Sequence, residues 1–177
     1  MLMYSLTLSF LLANLTHLYV LTRHRQSKRP TISERAAQSR WSFVLYIIGH
    51  GLAGLAFIGF AYQLFWLQQQ STILFTLACG GVVLEWLQAI IPARGKSEPL
   101  HRALAYGMSG FMVLLGIGAI ISMPLSPAVR AVLTVIEVLI VCGYPLVKRL
   151  PQRYFWTIQV LNINLFYTQM YILLLTS

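Results

Sequence analysis

The chain is poor in charge and has no aspartate. Of its 177 residues only 10% are charged, and the acidic ones number four, all glutamate: Glu34, Glu85, Glu98 and Glu137. A soluble domain carries roughly 25% charged residues, so these side chains do not clothe a water-facing surface. Without aspartate, Asp-dependent triads and aspartyl-phosphate chemistry are excluded. Two cysteines, Cys79 and Cys142, with no CxxC spacing, exclude a disulfide framework and read as buried, inert thiols. No GxSxG, P-loop or dinucleotide fingerprint is present, and no catalytic constellation names an enzyme.

Apolar residues are what the chain has in excess. They make up 58% of it, with a mean hydropathy of +0.71, which excludes intrinsic disorder and leaves a multi-pass membrane protein. A spanning helix needs about 20 mostly apolar residues. Six segments qualify: Leu2–Leu21, Ser42–Leu67, Thr72–Ile91, His101–Met123, Ala131–Val147 and Tyr154–Leu175. The expected fold is therefore all-α, a single domain over residues 1–177 built as a six-helix transmembrane bundle. Pro30, Pro92, Pro99, Pro124, Pro127 and Pro151 fall between these segments, and Pro145 falls in the last turn of the fifth.

Charge sets the expected orientation. Arg23, Arg25, Lys28, Arg29, Arg35, Arg40, Arg94, Lys96, Arg102, Lys148, Arg149 and Arg153 all lie on one side, and Arg130 alone lies on the other. By the positive-inside bias the first side is cytoplasmic and both termini face away from it, in a cell (inner or plasma) membrane. The first segment reads as a retained helix, because its positive charges follow the apolar run instead of preceding it. The net charge of +9 serves topology and requires no nucleic-acid partner. The basic first loop also suits anionic lipid headgroups. A homo-oligomer or a membrane-protein partner is compatible with the same pattern.

Polar groups at membrane depth face the bundle interior and often mark a site. Counting inward from the cytoplasmic ends at ~1.5 Å per residue puts His17 at roughly 6 Å, Glu85 at about 9 Å, and Asn14, His50 and Asn162 at about 10–12 Å. Glu137 and Asn164 come near ~15 Å, and His101 begins its span at the edge. Gly81, Glu85 and Gln88 share one helical face. The candidate ligand-binding set is His50, Glu85, Gln88, His101, Glu137 and Asn162, a polar pocket in one leaflet. Asn162 and Asn164 also suit plain interhelical bonding, and His17 and His24 read as structural histidines. No cofactor is required. The alternative is a haem b or metal held by His50 and His101, with Glu85 as a third zinc ligand. A proton-linked carrier using Glu85 and Glu137, or a scaffold whose polar layer only fixes helix register, stands beside these.

Pro30-Thr31-Ile32-Ser33-Glu34 is similar to the P-x-I-S-D element of the DRAM-like six-helix membrane proteins, with Glu at the position of Asp. That grouping includes damage-regulated autophagy modulators, GPI-lipid-remodelling relatives and bacterial six-helix proteins. The polar third helix, the short loop to His101 and Ala105, and the glycine-rich helix that follows resemble its middle section. The resemblance implies membrane-lipid organisation or remodelling, with Ser33, Glu34 and His101 as the matched positions.

Overall fold

A computed structural model describes residues 2–28, 31–149, 151 and 154–177, with 144–149 described by their backbone alone. Arg29, Pro30 and Arg153 of the sequence reading lie outside the described residues, as do the side chains of Pro145, Lys148 and Arg149. The chain is all-helical. Its long helices are α1 (Leu2–Arg23), α3 (Arg40–Ala61), α4 (Thr72–Ile90), α5 (Glu98–Ser122), α6 (Pro127–Arg149) and α7 (Phe155–Thr176). A short helix α2 (Ile32–Ala36) stands between α1 and α3, and a π-helical segment (Tyr62–Gln68) prolongs α3.

Five helical stretches are long and apolar enough to cross a membrane: Leu2–Arg23, Arg40–Gln68, Thr72–Ile90, Gly95–Ser122 and Phe155–Thr176. Their ends fall within two residues of the expected boundaries, except that the fourth stretch begins six residues before His101. The remaining long helix, α6, outruns the expected Ala131–Val147 at both ends. It starts at Pro127, a residue pre-organised for a helix's first position, and runs one turn past Pro145 to Arg149, giving 23 residues.

Burial departs from that of a protein in water: polar groups are buried alongside an apolar core, and many large apolar side chains are exposed. Ser9, His17, Ser42, His50, Gln88, His101, Glu137 and Gln169 are buried, while Leu8, Leu15, Leu18, Leu52 and Leu55 are exposed. Polar groups inside and leucines outside are the partition that hydrocarbon demands.

α1 packs most extensively on α3, and α4 on α5. At the first crossing the backbones come close because Gly49 has no side chain: a Cβ there would overlap Thr16. α1 and α7 run antiparallel. Thr7 bonds Tyr171 (2.9 Å), Ser9 bonds Tyr167 (2.6 Å), and Asn164 Nδ2 donates to Asn14 Oδ1 (3.3 Å). The N- and C-terminal ends of the chain therefore share one end of the bundle. An apolar core centred on Phe57, Phe60, Leu64, Val82, Leu115 and Met170 fills the middle. The other end holds the polar residues described next.

Candidate functional site

The sequence Thr31-Ile32-Ser33-Glu34 builds the first part of the site. Thr31 caps α2, its hydroxyl oxygen accepting from Glu34 N at 3.2 Å, and Glu34 Oε2 accepts from Thr31 N at 3.1 Å and from Thr31 Oγ1 at 2.9 Å. This is a capping box, in which two backbone donors at the helix start are satisfied reciprocally. Glu34 is thereby committed to holding α2 together. The helix it starts is tied down from several directions. Ile32 N donates to Gln159 Oε1 on α7 (3.2 Å), Arg35 Nη1 donates to His24 O (3.3 Å), and Arg94 Nη1 donates to Ala37 O (3.3 Å).

Ser33, held in this way, reaches across to α5. Its Oγ lies 3.0 Å from His101 Nε2. His101 Nδ1 lies 2.6 Å from the carbonyl oxygen of Ile91, an acceptor only, so Nδ1 carries the ring proton of neutral His101. Nε2 then accepts from Ser33 and from Gln88 Nε2, also 3.0 Å away. Gln88 Nε2 further approaches Tyr46 Oη at 3.4 Å. A histidine oriented by a carbonyl and facing a hydroxyl is the arrangement of a base beside a nucleophile. Here, however, the same lone pair is shared with an amide donor.

The second part lies deeper, on α1, α3 and α4. His50 Nδ1 donates to Glu85 Oε1 at 2.6 Å, a short, charge-assisted geometry. The other nitrogen of His50 lies 3.2 Å from His17 Nε2, so one proton is shared between the two rings. The Tyr46 ring covers His50 with centroids 4.2 Å apart. Tyr46 thus touches both parts: its ring meets His50 and its hydroxyl meets Gln88. A buried polar chain runs from Ser33 through His101, Gln88, Tyr46 and His50 to Glu85 and His17, drawing on α1 to α5.

His50, Glu85, Gln88 and His101 of the sequence reading are thus brought together, along with Ser33. Glu137 and Asn162 are not joined to this chain. Glu137 pairs with Gln169 on α7 (2.9 Å), and Asn162 packs where a Cβ on Gly143 would come within 2.7 Å of its Oδ1. His17, expected as a structural histidine, and Tyr46, expected as an interfacial anchor, both belong to this chain. Both lie on the loop-facing turns of their helices, and the depth count that favoured His50 applied to His17 as well.

Beside the buried polar chain, at the end of α1, lies an open depression of about 750 Å³ lined by Tyr19, Thr22, Arg23, His24, Arg25, Gln26, Ser27 and Gln38. Gln38 donates to Ser27 at 2.5 Å in its wall. His24 Nε2 meets Ser42 Oγ at 2.8 Å, and Ser39 donates to that same oxygen at 2.8 Å. Ser42 Oγ, while accepting from Ser39, keeps its own proton available for an unprotonated His24 Nε2. Burial, with Arg23 and Arg35 nearby, holds His24 below the usual histidine value, and burial also lowers Arg35.

Among the described residues no three His, Cys, Asp or Glu side chains are arranged to hold a metal ion. Both ring nitrogens of His50 and of His101 are engaged by protein groups. No family model, curated protein or solved structure matches the chain.

Proposed function

We propose that this chain is a six-span protein of a cell membrane, with both termini on the non-cytoplasmic side, that binds the anionic headgroup of a membrane lipid at its cytoplasmic face. The observation that carries the reading is the basic cavity at the end of α1. Arg23 and Arg25 border this open depression of about 750 Å³ together with His24, Gln26, Ser27 and Gln38. The cavity sits where a spanning helix leaves the hydrocarbon, at the depth of lipid headgroups. Arginine guanidinium groups match phosphate oxygens bidentately, and the amide and hydroxyl groups of Gln26, Ser27 and Gln38 suit the remaining oxygens. The likeness of the 30–34 segment to the DRAM-like element points to the same class of ligand.

In this reading the buried chain from Ser33 to His17 is a frame. It fixes α2 and the ends of α1, α3, α4 and α5, so that the cavity keeps its shape in the absence of ligand. α6 supplies the sixth span. Lipid extracted from the purified protein tests the reading. Phosphate-bearing lipid copurifies with the wild type, and Arg23→Gln/Arg25→Gln loses it while remaining folded. Each charge near an anionic surface contributes about 1 kcal/mol, so the double variant binds on the order of 30-fold more weakly. Equal lipid in both preparations would remove the reading.

A further inference from the structure

At the junction of α5, α6 and α7, far from the basic cavity in the chain of contacts, Glu137 and Gln169 form a pair that the frame does not use. Both are sealed in: Glu137 is 5% exposed and Gln169 is fully buried. Gln169 Nε2 donates to Glu137 Oε2 at 2.9 Å. The two oxygens left over, Glu137 Oε1 and Gln169 Oε1, are both buried and, among the described residues, have no partner. Gly116 on α5 closes over the pair, and a Cβ there would overlap Glu137 Oε2. No described Lys, Arg or His makes an ion pair with Glu137. Arg130, two turns earlier on α6, instead donates to the carbonyls of Ile121 and Met123.

Two buried acceptors left facing no donor are each expensive, and an ionised carboxylate near the middle of a bilayer is more so. One proton removes all three penalties. Placed on Glu137 Oε1, it neutralises the carboxyl and turns Oε1 into a donor for Gln169 Oε1. The acid and the amide then close a ring of two opposed hydrogen bonds, N–H to Oε2 and O–H to Oε1. Nothing else on the described residues supplies such a donor.

We propose that Glu137 is a resident proton-binding site, its carboxyl held protonated at neutral pH with the proton on Oε1 directed to Gln169 Oε1. The site holds its proton without a counter-charge. This assignment is independent of the headgroup reading, and neither outcome of one experiment decides the other.

Infrared difference spectroscopy of the full-length protein in detergent tests it directly. Wild type minus Glu137→Gln at neutral pH is expected to show the carbonyl stretch of a protonated carboxylic acid, moving down in heavy water. A carboxamide at 137 closes the same ring, so this variant is expected to fold with an unchanged thermal midpoint. Should it fail to fold, wild type minus wild type carrying isotope-labelled glutamate reads the same band. In Gln169→Leu the band is expected to persist and move to higher frequency, because the carboxyl loses its partner. A spectrum in which Glu137 contributes only the paired stretches of a carboxylate would overturn the proposal. So would a carbonyl band that is unmoved by Gln169→Leu.

Discussion

His50 on α3 and Glu85 on α4 are joined by a 2.6 Å hydrogen bond from Nδ1 to Oε1, with the side chain of His50 7% exposed and that of Glu85 17% exposed. The bond pins the two helices at the end of the bundle that faces the basic loops. Because both groups are desolvated, removing one strands the other, at about 3 kcal/mol. Glu85→Leu and His50→Leu are each expected to lower unfolding stability by roughly that amount. The double variant is expected to lose less than the sum of the singles, a coupling of about 1–3 kcal/mol. Denaturant unfolding in mixed micelles measures all three, and strictly additive losses would contradict the pairing.

His101 is predicted to anchor α2. Ser33→Ala removes one neutral bond, about 1 kcal/mol. His101→Ala strips partners from Ser33, from Gln88 and from the Ile91 carbonyl, and its loss should be larger, on the order of 2–3 kcal/mol. Limited proteolysis between Arg23 and Arg40 reads the same event locally. Cleavage is expected to be faster than wild type in both His101→Ala and Ser33→Ala, because the Ser33 hydroxyl is the contact that joins His101 to α2. Wild-type rates in both would show that α2 is held by its other tethers, Gln159 and Arg94.

Acidification is predicted to loosen the end of α1. The folded-state value of His24 lies below the ordinary value of about 6.5, so the unfolded chain binds the proton more readily. Its contribution is fully present above about pH 6.5 and is lost as pH falls from there through the lowered folded-state value. Protonated His24 no longer accepts from Ser42. The difference in stability between wild type and His24→Asn should therefore shrink on acidification through that window. A difference constant with pH would contradict the assignment of a neutral His24.

Helix positions were legible because they rest on length and hydropathy alone, and α1, α4 and α7 end within two residues of where apolar runs end. α2 was not read, although Thr31-Ile32-Ser33-Glu34 carries the T-x-x-E spacing of a capping box. Five residues are too few to show periodicity, and the segment holds its place through Gln159 and Arg94, contacts made by residues far along the chain. His50, Glu85, Gln88 and His101 were legible from depth, since intramembrane polar groups turn inward. Their division from Glu137 and Asn162 was not, because depth gives height along a helix and says nothing of rotation about it. The same missing angle concealed that His17 touches His50.

Close helix approach at Gly49 is predicted to be a firm requirement. A Cβ there meets Thr16, whose hydroxyl is already bonded to Leu12 O at 2.7 Å and whose rotamer is therefore fixed. Gly49→Val is expected to separate α1 from α3 at an overpacking penalty of about 1–3 kcal/mol, breaking the His17–His50 contact with it. Gly51, which meets nothing, accepts alanine without loss. Thermal midpoints of Gly49→Val and Gly51→Ala give the comparison, and equal midpoints would contradict the packing.

Native mass spectrometry of the protein released from nanodiscs reads headgroup binding at the end of α1 without intervening steps. Nanodiscs of mixed anionic and zwitterionic phospholipid present both classes at once. Wild type is expected to retain an anionic phospholipid in preference to the zwitterionic one. Arg23→Gln/Arg25→Gln is predicted to lose that preference, while His50→Leu/Glu85→Leu retains it in whatever fraction stays folded. Retention of both lipids in proportion to their abundance, unchanged by the arginine substitutions, would contradict it.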